Sequence, residues 1–307
     1  MKVDWTIWRP RLLYGAFFVA AFLFALRQTL PASAIKERLV QEAALRGWTL
    51  DAAEAGPAGL VGVGLKDVTL KDKAGLAIPI DQLDASLSPL PLLRGKLRVA
   101  LSARLYEGTV RGTFDVKGAP QEVDLILDQV DLSRAAPLRK AAGVDLDGVA
   151  SGTAHLSLPA DAAAQPTGRA DLTVTGAGVA GGKLPVPGMA GGLTVPKLSL
   201  GKLTAAVKLE GGKATFEKLS TSGGDATIVA DGLAVTLQNQ PRLEFAPLFG
   251  KASIKLEDAF AQKPEGKSMK SLVDLALASG KARDGSYHLQ IFGSLGHPQA
   301  RPGAPAP

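Results

Sequence analysis

The 307-residue sequence predicts a mainly β protein: a curved, largely antiparallel, elongated sheet with an N-terminal transmembrane helix and a few short helices. Three observations carry this. Segment after segment alternates apolar and polar residues with a period of two, the signature of strands with one buried and one wet face. Gly (35) and Pro (20) together make about 18% of the chain, which demands frequent turns. Near the start lies an uncharged apolar run bounded by basic residues.

Composition also limits function. At 46% hydrophobic and a mean hydropathy of +0.13 the chain has ample apolar matter to bury. Only 5% of residues are aromatic, so the core is built from Leu, Val and Ala in thin layers, which argues against a compact enzyme. The absence of cysteine removes disulfides, thiolate nucleophiles, Fe–S ligation and Cys-based zinc sites. The net charge of +6 is spread without a block of like charges, so no nucleic-acid partner is expected.

Residues 1–30 read as a cytoplasmic tail and membrane anchor. Lys2, Arg9 and Arg11 precede the run Leu12–Leu26, which contains Phe17, Phe18, Phe22 and Phe24 and is closed by Arg27. As a helix this run is roughly 22 Å long against a hydrocarbon core of about 30 Å, so Arg11 and Arg27 must snorkel from both ends. Trp5 and Trp8 then fall in the interface belt. A cleaved signal peptide is the alternative, with Ala32-Ser33-Ala34 as its cleavage site, but that site lies beyond Arg27, farther from the apolar run than such sites normally sit. Basic residues flank both sides of the run. The short tail and the long remainder favour an inside N-terminus and an extracytoplasmic bulk, since long domains translocate largely regardless of charge.

Residues 31–47 predict an amphipathic helix: Ser33 can cap it, Ile35, Leu39, Val40 and Ala43 share a face, and Gly47 supplies the left-handed stop. From Trp48 the period becomes two. Leu97, Val99, Leu101, Ala103 and Leu105 alternate with Arg98, Ala100, Ser102 and Arg104. The same rule covers Val110, Phe114 and Val116, then Val123, Leu125 and Leu127, then Ala170, Leu172 and Val174, and later Leu203–Leu209 and Leu233–Leu237. Turns such as Glu107-Gly108, Gly211-Gly212 and Gly223-Gly224-Asp225 make these strands a meander. Two helical interruptions are expected, Leu132–Ala142 with Ser133 as cap and Ser268–Ser279. The β domain spans 48–296, residues 176–196 read as a loop or a break between two sheet halves, and 297–307 as a disordered tail. Gly112, Gly152 and Gly293 each sit inside a strand before a hydroxyl residue, and strand glycines favour a bent sheet.

No catalytic, cofactor-binding or metal site emerges. Gly176-Ala177-Gly178-Val179-Ala180-Gly181 spells a dinucleotide fingerprint, but Gly182 to Pro187 cannot open the helix that would hold a pyrophosphate. Gly266-Lys267-Ser268 lacks the leading P-loop glycine, since position 261 is Ala261. His155, His288 and His297 stand isolated in sequence, with no ligand partner at zinc spacing. Asp81 with Asp84, and Lys66-Asp67 with Lys71-Asp72, fall at polar positions of alternating segments and read as a solvated face.

The order of features resembles the longer form of the type II secretion system protein N family (GspN), itself similar to AsmA-type inner-membrane proteins. The resemblance runs from Gly62-Val63-Gly64-Leu65-Lys66-Asp67-Val68-Thr69-Leu70 through Leu83-Asp84-Ala85-Ser86-Leu87-Ser88-Pro89-Leu90 and the strand pair Leu97–Val116. It continues in Leu209-Glu210-Gly211-Gly212, Asp225 and Gly232-Leu233, and closes on Asp284-Gly285-Ser286-Tyr287, Phe292-Gly293-Ser294-Leu295 and Pro298. The proline-rich tail and the short apolar run depart from the pattern. The resemblance implies a single-pass inner-membrane protein with a cytoplasmic N-terminus and a periplasmic β domain. It also implies other secretion-system or envelope proteins as partners, docked by strand addition or through the polar face, with no cofactor and no enzyme activity. The alternative it implies is an AsmA-like half-barrel or groove that shelters lipid on its apolar face, because an uncovered apolar face needs a guest or a partner.

Overall fold

The computed structural model describes residues 32–45, 47–58, 62–72, 77–88, 91, 97–116, 120–136, 144–161, 164–184, 193–237 and 245–304. The expected tail and anchor, residues 1–30, lie outside them. Strands account for 67% of the structure, and the chain divides into two compact units, residues 1–105 and 106–307.

The first unit is a helix on a four-stranded meander: α1 (Ala32–Leu45), then β1 (Trp48–Pro57), β2 (Gly62–Asp72), β3 (Ala77–Leu87) and β4 (Arg98–Leu105), paired antiparallel in chain order. Gly47 ends α1 at φ 83, as its position predicts, whereas Ser33 falls inside the helix and not at its cap. Leu39 packs on the buried cluster of Ala52, Val63, Leu65 and Val68, and Lys36 Nζ donates to Ala52 O at 2.5 Å. Strict alternation fails here in an ordered way. Leu65 and Val68 are both 1% exposed although three apart, because Asp67 at φ 49 turns the backbone between them. The register pairs Ala52 with Val68 and Val68 with Ile80, and likewise Ala55 with Leu65 and Leu65 with Leu83, so one change of phase crosses three strands together.

The second unit carries β5 (Gly108–Asp115), β6 (Gln121–Asp131), β7 (Val144–Leu158), β8 (Thr167–Leu184), β9 (Leu193–Val195), β10 (Leu198–Glu210), β11 (Lys213–Ser222), β12 (Ala226–Thr236) and β13 (Leu248–Leu256). Two helices follow, α2 (Asp258–Ala261) and α3 (Pro264–Ala276), and then β14 (Tyr287–Ser294) and β15 (His297–Pro302). Neighbours along the chain pair antiparallel, with β10 beside β8 and the short β9 also on β8. The sheet does not close. Gly211 and Gly212, at φ 57 and 69, form the left-handed two-residue turn that joins β10 to β11.

Three sequence expectations change. Residues 176–184 are not a loop but the second half of β8, where Gly176, Gly181 and Gly182 at positive φ let the strand pass through register shifts without leaving the sheet. Residues 297–302 are not a disordered tail: they turn at Leu295-Gly296 and pair with β14. Of the helix expected over Leu132–Ala142, the described residues show a 3-10 turn, Leu132–Arg134, capped by Asp131, whose Oδ1 accepts from Ser133 N at 2.9 Å, and then a helical Ala136; residues 137–143 lie outside the described residues. The second expected helix is α3, displaced to begin at Pro264, where a missing N–H costs nothing.

Candidate functional site

Register decides which side chains share a face. Across β5 to β8 and β10, one face of the second unit carries Val110, Phe114, Val123, Leu125, Leu127, Ala154, Leu156, Ala170, Leu172, Ala205, Val207 and Leu209. Glycines are interleaved with these leucines: Gly112 lies opposite Leu125, Gly152 opposite Leu172, and Gly168 opposite Leu156. A Cβ on Gly152 would stand 2.4 Å from Asp171 O, and one on Gly168 would stand 2.6 Å from Leu156 Cδ2. The strand glycines are therefore sites of close approach.

This apolar face is sealed unevenly. At one end, Leu132 of the 3-10 turn packs on Ala150, Val174 and Ala177, while Phe260 and Met269 of α2 and α3 close over Leu198, Ala226 and Leu256. Farther along, Leu233, Val235, Leu248 and Ala252 bury the fully covered Ala246. Among the described residues nothing comparable lies over Leu125 and Leu172, which keep 39% and 37% of their surface in solvent. The result is an apolar strip in the middle of the sheet, bounded by sealed regions.

The sheet margins are poorly suited to strand addition. Gly303 N donates to His288 O at 2.8 Å, and bonded pairs alternate with unbonded ones along an antiparallel ladder, so Pro298, Ala300 and Pro302 face away from β14. Two of those three outward positions have no N–H to offer. At β1 the helix α1 and the Lys36–Ala52 hydrogen bond guard the strand.

On the opposite, polar face, β5 to β8 frame an open cleft of about 550 Å³ lined by Arg111, Thr113, Ile126, Thr153, His155 and Arg169, among others. His155, isolated in sequence, is not isolated in space. Its Nδ1 lies 2.7 Å from Asp124 Oδ1, and its Nε2 lies 3.2 Å from Glu122 Oε2 at an angle too poor for a hydrogen bond. The hydrogen bond to Asp124, with the charges of Asp124 and Glu122, raises the imidazole pKa above its ordinary 6.5. Carboxylates beside both ring nitrogens favour the protonated imidazole, whereas a metal ligand must offer a free lone pair. Among the described residues no group of His, Asp or Glu is arranged to hold a metal. Arg169 extends the network to Asp171 at 3.6 Å and Glu217 at 3.0 Å.

The remaining sequence candidates stay apart. The His288 imidazole lies 3.4 Å from Ser286 Oγ, and His297 opens the exposed β15. Asp81 is exposed, Asp84 accepts from Gln82 Nε2 at 2.8 Å, and Lys66 pairs with Glu54 at 3.0 Å. The Gly176–Gly181 motif is strand, not the mouth of a helix. No helix among the described residues is long and apolar enough to cross a membrane. No family model, no curated protein and no solved structure matches the chain.

Proposed function

We propose that this chain is a non-catalytic binding protein of the cell envelope, held at the inner membrane by residues 12–26 with its β units in the periplasm. Within that class, we assign it as an accessory component of the type II protein secretion system, the role its sequence resemblance implies. The observation that carries the reading is the uncovered strip around Leu125 and Leu172, since apolar surface of this kind marks a contact site. The guarded margins direct docking to the faces of the sheet. Deleting the gene should leave exoproteins in the periplasm, and restoring it with Leu125→Glu and Leu172→Glu together should fail to rescue export. Unchanged secretion in the deletion strain would refute the role.

A second reading is favoured by the leucine-over-glycine packing of the same strip, which offers an apolar surface for an acyl chain to lie along. In this reading strand glycines and register shifts bend the sheet into an AsmA-like half-barrel or groove. Mass spectrometry of organic extracts from the purified full-length protein distinguishes the two: co-purifying phospholipid lost on the double Glu substitution supports the groove, and its absence supports protein docking.

A further inference from the structure

The outward face of β13 to β15 inverts the usual choice of residues. From Phe245 to Ala252 exposure alternates strictly, but Ala246, Leu248, Gly250 and Ala252 point inward while Phe245, Pro247, Phe249 and Lys251 point out. Phe245 and Phe249 leave 54% and 57% of their surface in solvent, in a chain with only 10 phenylalanines. The pairings Gly250–Ile291 and Pro247–Ser294 set Phe249 across from Phe292 on β14. Arg301 of β15 lies over the Phe292 ring at 5.3 Å, and its Nε and Nη2 both donate to Gln290 Oε1 at 3.0 and 2.8 Å. The guanidinium is thus fixed in place before any partner arrives, with donors still free. The three strands contain no Asp or Glu; their charges are Lys251, Lys255 and Arg301.

We propose that this face docks a protein partner that presents carboxylates beside apolar side chains, with Phe249 and Phe292 as the apolar anchor and Arg301 as the carboxylate clamp. Exposed aromatic and arginine side chains held rigidly on a sheet are what binding hot spots are made of. The row lies flat along strands and does not protrude as a wedge, which suits a protein surface better than insertion between lipids. The site is on the face opposite the Leu125–Leu172 strip and does not rest on the function assigned to that strip.

The test uses the full-length protein and three probes: a fluorescent peptide alternating Asp or Glu with Leu and Phe, its Asn/Gln counterpart, and phosphatidylglycerol vesicles. Anisotropy should show at least about tenfold tighter binding of the acidic peptide than of its amide form, the equivalent of about 1.4 kcal/mol. Phe249→Ser and Arg301→Gln should each lose about tenfold with unchanged circular dichroism, and Arg111→Gln, on β5 and seven strands from β13 in the sheet order, should lose nothing. Equal binding of both peptides, or binding unaffected by Phe249→Ser, would overturn the proposal. Vesicle binding that depends on Phe249 while the peptide does not bind would assign the face to lipid instead and overturn it equally.

Discussion

His155 owes its setting to a single register shift. Between Leu127–Gly152 and Val130–Ala150 the β6–β7 ladder slips by one residue, and Gln129, at φ 54, supplies the slip. Extending the Val130–Ala150 register without the slip would set Asp124 against Leu156, on the wrong face. With it, Asp124 meets His155, a partner 31 residues away. The raised imidazole pKa means that the ion pair contributes stability below 6.5 and loses it as pH rises through the folded value, though exposure keeps the effect small. Asp124→Asn should bring the His155 midpoint, followed by NMR, back down toward 6.5; an unmoved midpoint would mean that Glu122 and not Asp124 sets it. The histidine stands out in the sequence, but its link to Asp124 and Glu122 does not, because spacing along the chain says nothing of a bulge on one strand.

At the scale of elements, the turn Gly223-Gly224-Asp225 does more than reverse the chain. Asp225 Oδ2 accepts from Ser199 N at 3.0 Å, its Oδ1 accepts from Lys263 Nζ at 3.2 Å, and its carbonyl accepts from Glu257 N at 2.9 Å. One residue therefore ties β10, the end of β13 and the entry to α3 together. A Cβ at Gly224 would lie 2.5 Å from Ser199 O, which is why this corner is glycine. The Ser199 hydrogen bond, helped by Lys263, depresses the Asp225 pKa below 3.8. Its contribution is therefore complete above that value and disappears as pH falls through the lower folded one. Asp225→Asn should lower Tm at pH 7 and flatten the fall of Tm below about pH 4; parallel wild-type and variant curves there would remove Asp225 from the acid response. The turn itself was readable in the two glycines. Its role as a tie was not, since Ser199 and Lys263 reach it only in three dimensions.

For the whole molecule, the decisive feature is how unevenly one apolar face is covered. Leu248 sits in a sealed cluster, so Leu248→Ala should cost about 2–5 kcal/mol and several degrees of Tm. Leu172→Gln, in the open strip, should cost less than about 1 kcal/mol because a third of that side chain already meets water. A comparable loss at both positions, measured by thermal unfolding, would mean that the strip is covered after all.

The alternation of residues was enough to establish a mainly β chain, an antiparallel meander, the helix before Trp48 and the turn at Gly211-Gly212, because period and turn chemistry are local and act wherever the segment lies. It could not reveal that β8 continues through its glycines, that residues 297–302 return to the sheet, or that Phe249 faces outward beside Phe292 and Arg301. Those outcomes depend on bulges, on neighbouring strands and on which stretches of face find a cover, and such contacts exist only once distant segments have been brought together.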